Sequence, residues 1–311
     1  MFITSLFRQH LAALRALLVL TVVTGAAYPL AVWGLAQIPG LRDKADGSII
    51  DVSGRPVGSE LIGQPFVDAN GSPLRQYFQS RPSYAGTGYD PTNSGAGNLG
   101  PESIVDTPGD PVKLDHGAKP ADAGFKPSLL TTVCANSFAI GELESVDGRR
   151  PYCTANGVGA VLSLIGPRDA RGNVTRPIRV VSVNEPCSSD PRKPTATFIA
   201  AWAGVKVECA RYGEDYAAGQ IIPVRGDAPA ISPIPPDAIT ASGSGLDPDI
   251  SSAYARLQVS RIASARSITT QQVLGVLADN THNRTLGFLG EPTVNVLQAN
   301  LELDRKYPVR S

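Results

Sequence analysis

The stretch "TASGSGLDPDIS", Thr240 to Ser251, gathers small residues, two acids and one proline late in the chain. Four roles compete for it: a phosphate cradle, a metal loop, a nucleophile's turn, or a backbone device ahead of a helix. A Walker loop needs Gly-x-x-x-x-Gly-Lys-Ser/Thr so that lysine reaches the terminal phosphates, and no lysine occurs here. A nucleophile elbow needs glycines two positions either side of its serine, whereas Gly243 and Gly245 flank Ser244 directly. Asp247 and Asp249 could ligate calcium, but the EF-hand spacing with its terminal glutamate is missing. The backbone role is therefore favoured for Ser242, Gly243, Ser244, Gly245, Asp247 and Pro248. Small residues permit unusual dihedrals, Pro248 sets a turn, and Asp249 or Ser251 caps the next helix.

Downstream, "SSAYARLQVSRIASAR" (251–266) reads as one helix with Leu257, Ile262 and Ala263 on its apolar side. Thr269 and Gln272 have capping-box spacing, opening a second helix whose buried stripe is Val273, Leu274 and Leu277. "PTVNVLQANLELD" (292–304) alternates at Leu297, Ala299, Leu301 and Leu303, the pattern of a half-buried strand. Upstream, residues 46–66 read as short strands around a Ser53–Gly54 turn. The Gly/Pro/Asn/Ser-dense stretch 77–103 is too aromatic for a flexible linker and is expected to pack on a core or a partner. Between residues 104 and 236, "GVGAVLSLI", "RPIRVVSVN" and "TATFIAAWAGVKVEC" read as strands, making this stretch a β-rich insertion.

At the other end, "ALLVLTVVTGAAYPLAVWGLAQI" (16–38) carries no charge and is long enough to cross a hydrocarbon core of roughly 30 Å. Its apolar region is longer than a signal peptide's and no convincing small-x-small cleavage site follows Leu35, which favours a retained anchor. Pro29 cannot donate to the carbonyl of Gly25, so a bend near Gly25–Pro29 is expected. Gly25, Ala26 and Ala27 would allow another helix to approach closely in lipid. A lone helix with a few hydroxyls offers no ion pathway of its own.

Composition narrows the function further. Twenty-eight basic residues balance 28 acidic ones, so no nucleic-acid footprint is present. Three scattered histidines, His10, His116 and His282, disfavour a zinc hydrolase. Cys134, Cys153, Cys187 and Cys209 contain no Cys-x-x-Cys and fit two disulfides in an oxidising compartment, with the pairing open. The expected layout is a cytoplasmic N-terminus (1–15), a transmembrane helix (16–38), an extracytoplasmic domain (39–103 and 237–311) and the insertion (104–236). The fold class is α+β.

Six segments in order, "TGAAYPL" (24–30), "GSELIGQPF" (58–66), "YFQSRPS" (77–83), "SGAGNLGP" (94–101), "TASGSGLDPDIS" and "RTLGFLGEPTVNVLQANLELD" (284–304), resemble the C subunit of the bacterial potassium-transporting P-type ATPase, the KdpC family. They cover about residues 8–103 and 236–304. The roughly 130 residues between "NLGP" and "TASGSGLDP" look like the long actinobacterial variant, and many members carry His or Asn where Asp249 stands. The resemblance implies a non-catalytic accessory subunit of the cell membrane, assembled with a channel-like potassium-binding subunit and an ATP-hydrolysing subunit. ATP and potassium would be handled by that complex, and no cofactor is assigned to this chain alone. It also implies a catalytic chaperone raising the pump's ATP affinity, and a position over the potassium entrance. Gln258 is the nearest match to the glutamine of the nucleotide proposal. From the residues alone it reads as a solvated helix-face side chain. The alternatives are a membrane-anchored extracytoplasmic hydrolase using Ser244, Asp247 and His282, or an anchored binding module.

Overall fold

The structure is a computed structural model describing residues 2–184, 196–211 and 213–309. The chain divides into two compact units, Met1–Leu61 and Ile62–Ser311. In the first, α1 (Phe2–Val22) continues through a π-helical turn (Val23–Ala27) into α2 (Tyr28–Ala36). The candidate span runs Thr4–Ala36, 33 residues, so the helix starts well before the expected Ala16. At about 1.5 Å per residue it reaches roughly 50 Å, longer than the uncharged segment needs. The expected bend is realised as a widened turn: the Tyr28 N–H donates to the Val23 carbonyl five residues back, just ahead of Pro29. A short α3 (Arg42–Ala45) leads to the hairpin of β1 (Ile49–Val52) and β2 (Arg55–Ser59). Ser53 and Gly54 both take left-handed backbone, the turn whose twist matches the strands.

The second unit holds α4 (Pro111–Asp115), α5 (Leu129–Glu144), and the strands β3 (Val161–Ile165), β4 (Arg179–Ser182), β5 (Ala201–Trp202), β6 (Val205–Cys209) and β7 (Gln220–Pro223). It continues with β8 (Asp249–Ser251), α6 (Ser252–Leu257), α7 (Val259–Arg266), α8 (Thr270–Asp279), β9 (Thr281–His282), β10 (Thr293–Asn295) and α9 (Val296–Lys306). Strands β3 to β7 form one sheet in the order β5-β6-β4-β3-β7, with β4 and β6 parallel. Alternation sends Val161 and Val181 to one face and Leu162, Leu164 and Val180 to the other, each face covered by its own apolar cluster.

The expected strands between 104 and 236 are present, but the stretch is not strands alone. Ser128 caps α5 by accepting from the Thr131 N–H at 3.1 Å, and Val133 and Ile140 pack on the main core. Cys134 on α5 is bonded to Cys153, with Cα atoms 5.5 Å apart. Cys209 is also disulfide-bonded, and Cys187 lies outside the described residues.

Two further expectations are corrected. Residues 292–304 are a three-residue strand followed by helix: Asn295 accepts from the Gln298 N–H, and the buried set Val296, Leu297, Ala299, Asn300 and Leu303 is a helical stripe. Alternating leucines matched both periods, and the Asn295 cap decided between them. The single helix expected over 251–266 breaks at Gln258 into α6 and α7. Ser251 does cap α6, and Thr269 with Gln272 forms a complete capping box on α8.

The main core packs α6 to α9 around Phe78, Ile250, Tyr254, Ile262, Val273 and Leu303. Against it lies the segment Arg75–Gln79, a turn over Arg75–Tyr77 that leads into the buried Phe78 and Gln79 and joins no strand. Its carbonyls and the Phe78 and Gln79 N–H groups are held by side chains. The amide of Asn300 accepts from the Phe78 N–H at 2.7 Å and donates to the Phe78 carbonyl at 3.0 Å. Gln258 does the same for Gln79, at 2.7 and 3.1 Å. Arg261 donates to the carbonyls of Arg75 and Tyr77, and Arg266 to that of Gln76. Arg261 is itself paired with Glu144 at 2.9 Å, their side chains 2% and 0% exposed. Burial raises the Glu144 carboxyl above its usual range, with the Arg261 charge opposing that rise.

Replacing Asn300 by Leu should strand two buried backbone groups and lower unfolding stability by about 2–6 kcal/mol. Denaturant unfolding of the purified chain measures this, and an unchanged midpoint would contradict the clamp. Exchanging Cys134 and Cys153 together for Ser opens a crosslink spanning 19 positions. The chain-entropy relation puts that loss at about 3 kcal/mol, readable in the same titration.

Candidate functional site

The 240–251 stretch turns its polar groups onto its own neighbours. Ser242 Oγ accepts from the Gly245 N–H at 3.0 Å, and Ser244 Oγ from the Leu246 N–H at 3.1 Å. Pro248 presents its carbonyl to the Val296 N–H at the start of α9. Asp249 accepts from the Thr293 hydroxyl and the Asn295 amide, tying β8 to β10. Asp237 accepts from both the backbone and the hydroxyl of Ser251, so the residue that caps α6 is itself held. The serines and aspartates of the stretch are thus engaged with backbone and with neighbouring side chains.

The other quoted blocks of this unit come to the same place. From "YFQSRPS", Arg81 pairs with Asp247 at 3.2 Å and reaches the Thr240 carbonyl, while Ser83 donates to the Gly245 carbonyl at 2.6 Å. The Ser83 hydroxyl also accepts from the Ala85 and Tyr89 N–H groups, and Tyr89 donates its hydroxyl to the Arg81 carbonyl. From "SGAGNLGP", the Gly95 N–H and the Ser94 hydroxyl both donate to the Ser244 carbonyl. From "GSELIGQPF", the Gly63 N–H donates to the Leu246 carbonyl at 2.9 Å. Burial pushes the Tyr89 phenol up to about 12, so it stays neutral at ordinary pH.

Two glycines are required by this crossing of loops. Gly245 sits at φ +71°, and a Cβ there would lie 2.7 Å from the Gly95 carbonyl oxygen and 2.9 Å from the Ala85 nitrogen. A Cβ on Gly63 would strike the Tyr89 ring and come within 2.6 Å of the Asp247 carbonyl oxygen. Gly243, by contrast, faces open space.

Beside the knot lies an open cleft of about 480 Å³, walled by residues 96–100 and 239–243 with Tyr84, Leu129 and Thr132. Its walls carry no charged side chain and combine Leu99, Leu129 and Ile239 with Tyr84, Asn98, Thr132, Thr240 and Ser242. Among the described residues no group of three His, Cys, Asp or Glu could hold a metal. The hydrolase reading finds no triad either. Ser244 Oγ faces Asp247 at 3.3 Å and Ser242 at 3.5 Å, and no histidine is among its partners. His282 stands exposed on β9.

Gln258 is not the solvated side chain expected from its helix position. It is 0% exposed, with both amide atoms engaged by the Gln79 backbone and its oxygen also accepting from Arg261. Gly25 and Pro29 lie on the exposed N-terminal helix, where a Cβ on Gly25 would meet only Thr21, at 4.0 Å. Sequence reasoning passed over Gln79, Glu144, Arg261, Arg266 and Asn300, the buried polar residues of the clamp. One signal was available: Asn300 and Arg261 occupy positions where the helical apolar stripe calls for Leu or Ile.

A family profile described as "K+-transporting ATPase, c chain" matches residues 10–105 and 215–305. The chain is 34% identical over 306 residues to the potassium-transporting ATPase KdpC subunit of Kineococcus radiotolerans, covering 98% of each. It is 30% identical over 293 residues to that of Koribacter versatilis, covering 94% of this chain and 91% of the other. It is also 32% identical over 298 residues to that of Mycobacterium tuberculosis, covering 96% and 98%. With the profile spanning more than half of the sequence and these relatives aligned nearly end to end, the chain belongs to the KdpC family of K+-transporting ATPase c chains.

Proposed function

We propose that this chain is a non-catalytic accessory subunit of an ATP-driven potassium uptake complex, docked by its N-terminal helix onto a channel-like subunit and an ATP-hydrolysing subunit. The observation that carries the reading is the closure of the 240–251 knot. Within a family of transport-ATPase c chains, its serines, glycines and Asp247 hold neighbouring loops together. Such a lobe acts by shape and contact.

The same reading places the N-terminus in the cytoplasm and the lobe outside the cell membrane, over the potassium entrance. The Cys134–Cys153 disulfide favours an oxidising compartment for the lobe. A lobe so placed cannot touch cytosolic ATP, and the burial of Gln258 argues against direct contact through that residue. The catalytic-chaperone role is then indirect: contacts that differ between two states of the pump shift its equilibrium and raise its apparent ATP affinity.

Reconstituting the ATPase with and without this chain tests the role. Omission should raise the KM for ATP about five-fold or more at limiting potassium, the usual lower end of such coupling. An unchanged KM and unchanged potassium uptake would remove the accessory role. Gly25→Leu places a bulky side chain where another helix would approach and should lower copurification with the larger subunits several-fold, about the effect of losing close packing in lipid. Wild-type recovery would move the helix contact elsewhere.

A further inference from the structure

The apolar helix of the first unit overruns the membrane core, and its surplus length is basic. The uncharged stretch 16–38 reaches roughly 34 Å at about 1.5 Å per residue, which fills a hydrocarbon core of roughly 30 Å. Arg15 therefore stands at the edge of that core. Arg8 lies about 10 Å further along the axis, so the two bracket the layer where headgroup phosphates sit. Seven residues make two helical turns to within about 20°, which puts both arginines on one face of α1. Both are exposed, and neither forms a hydrogen bond or ion pair among the described residues.

The two ends of the span differ in how their cations are balanced. Beyond the far end, Arg42 pairs with Asp46 at 3.7 Å, and Asp43 adjoins Lys44 in the sequence. Around Arg8 and Arg15 the chain supplies no counter-charge, since residues 1–42 contain no Asp or Glu. Next to the arginine face runs an apolar stripe of Phe7, Leu11 and Leu14, spaced i, i+4, i+7 and 73%, 40% and 50% exposed. An overlong helix tilts in the bilayer. Tilting lays this stripe against the acyl boundary and leaves the neighbouring arginines level with the phosphates.

We propose that Arg8 and Arg15 form a binding face for the phosphate groups of anionic phospholipids. The location favours lipid, because the face continues directly from a membrane span into the headgroup layer. The chemistry favours an anionic lipid over a zwitterionic one. Two guanidinium groups without a carboxylate of their own attract net negative charge, and each can grip a phosphate with two parallel N–H donors. The inference requires only that the helix crosses the bilayer, and it is separate from the accessory role.

The test purifies the full chain in mild detergent with equal amounts of phosphatidylglycerol and phosphatidylcholine, and counts the retained lipids by mass spectrometry. The wild-type chain should prefer phosphatidylglycerol by at least about fivefold, the attraction of one basic residue at such a surface. Replacing both arginines, Arg8→Gln with Arg15→Gln, should bring the ratio to roughly one, whereas lysine at both positions should keep most of the preference. Arg8→Gln combined with Gln9→Arg preserves net charge but moves it about 100° around the helix, and should lower the ratio. Arg42→Gln should leave the ratio unchanged. Inorganic phosphate should not displace the retained lipid, and displacement would reassign the arginines to free phosphate. A wild-type chain without preference, or a preference that survives the double glutamine variant, would overturn the proposal. An unchanged ratio in the relocated variant, or an equal loss from Arg42→Gln, would overturn the shared face in favour of bulk charge. None of these readouts involves the larger subunits, so their failure is distinguishable from failure of the accessory role.

Discussion

The fold of the second unit depends on how the Arg75–Gln79 backbone is satisfied in a place where no strand reaches it. A buried peptide group without a partner costs about 1–3 kcal/mol, so the buried Phe78 and Gln79 and the turn that leads into them need partners for the groups that water does not reach. Asn300 and Gln258 supply the amide pairs, and Arg261 and Arg266 supply the remaining donors to carbonyls. These side chains come from α7, α9 and the turn between α6 and α7, so the helices are registered to one another through the segment they share. The break at Gln258 follows from the same demand, since that residue serves as a side-chain clamp within the helical run.

The clamp also links the 104–236 stretch to the core. Arg261 needs a counter-charge because it is nearly sealed from water, and Glu144 at the end of α5 provides it. A helix from that stretch is therefore part of the electrostatic interior of the lobe. The five-stranded sheet beyond it is apolar on both faces, which explains why its strands read as continuous Val, Ile and Leu runs.

The knot around Ser242–Pro248 is stabilised by a different arrangement of groups. Carbonyls of Ser244, Gly245 and Leu246 accept donors from three separate loops, and glycines let those loops cross at contact distance. Ser242 and Ser244 hold backbone N–H groups, while Asp247 and Asp249 are engaged by the side chains of Arg81, Thr293 and Asn295.

Much was legible in the chain by itself. The apolar helix, the Ser53–Gly54 hairpin, the sheet strands other than β7, the Ser251 cap, the Thr269 capping box and the family of the protein all follow from short-range signals. Dihedral preference, capping chemistry and residue period are local properties. Residues 292–304 went astray because leucines spaced by two satisfy a strand, while a single capping asparagine, Asn295, commits the same residues to a helix. The clamp was invisible for a different reason. Gln79 and Gln258, or Glu144 and Arg261, stand more than a hundred positions apart and have ordinary polar identities. Only the tertiary fold brings them into contact, and only burial converts an ordinary amide or guanidinium into a necessary one.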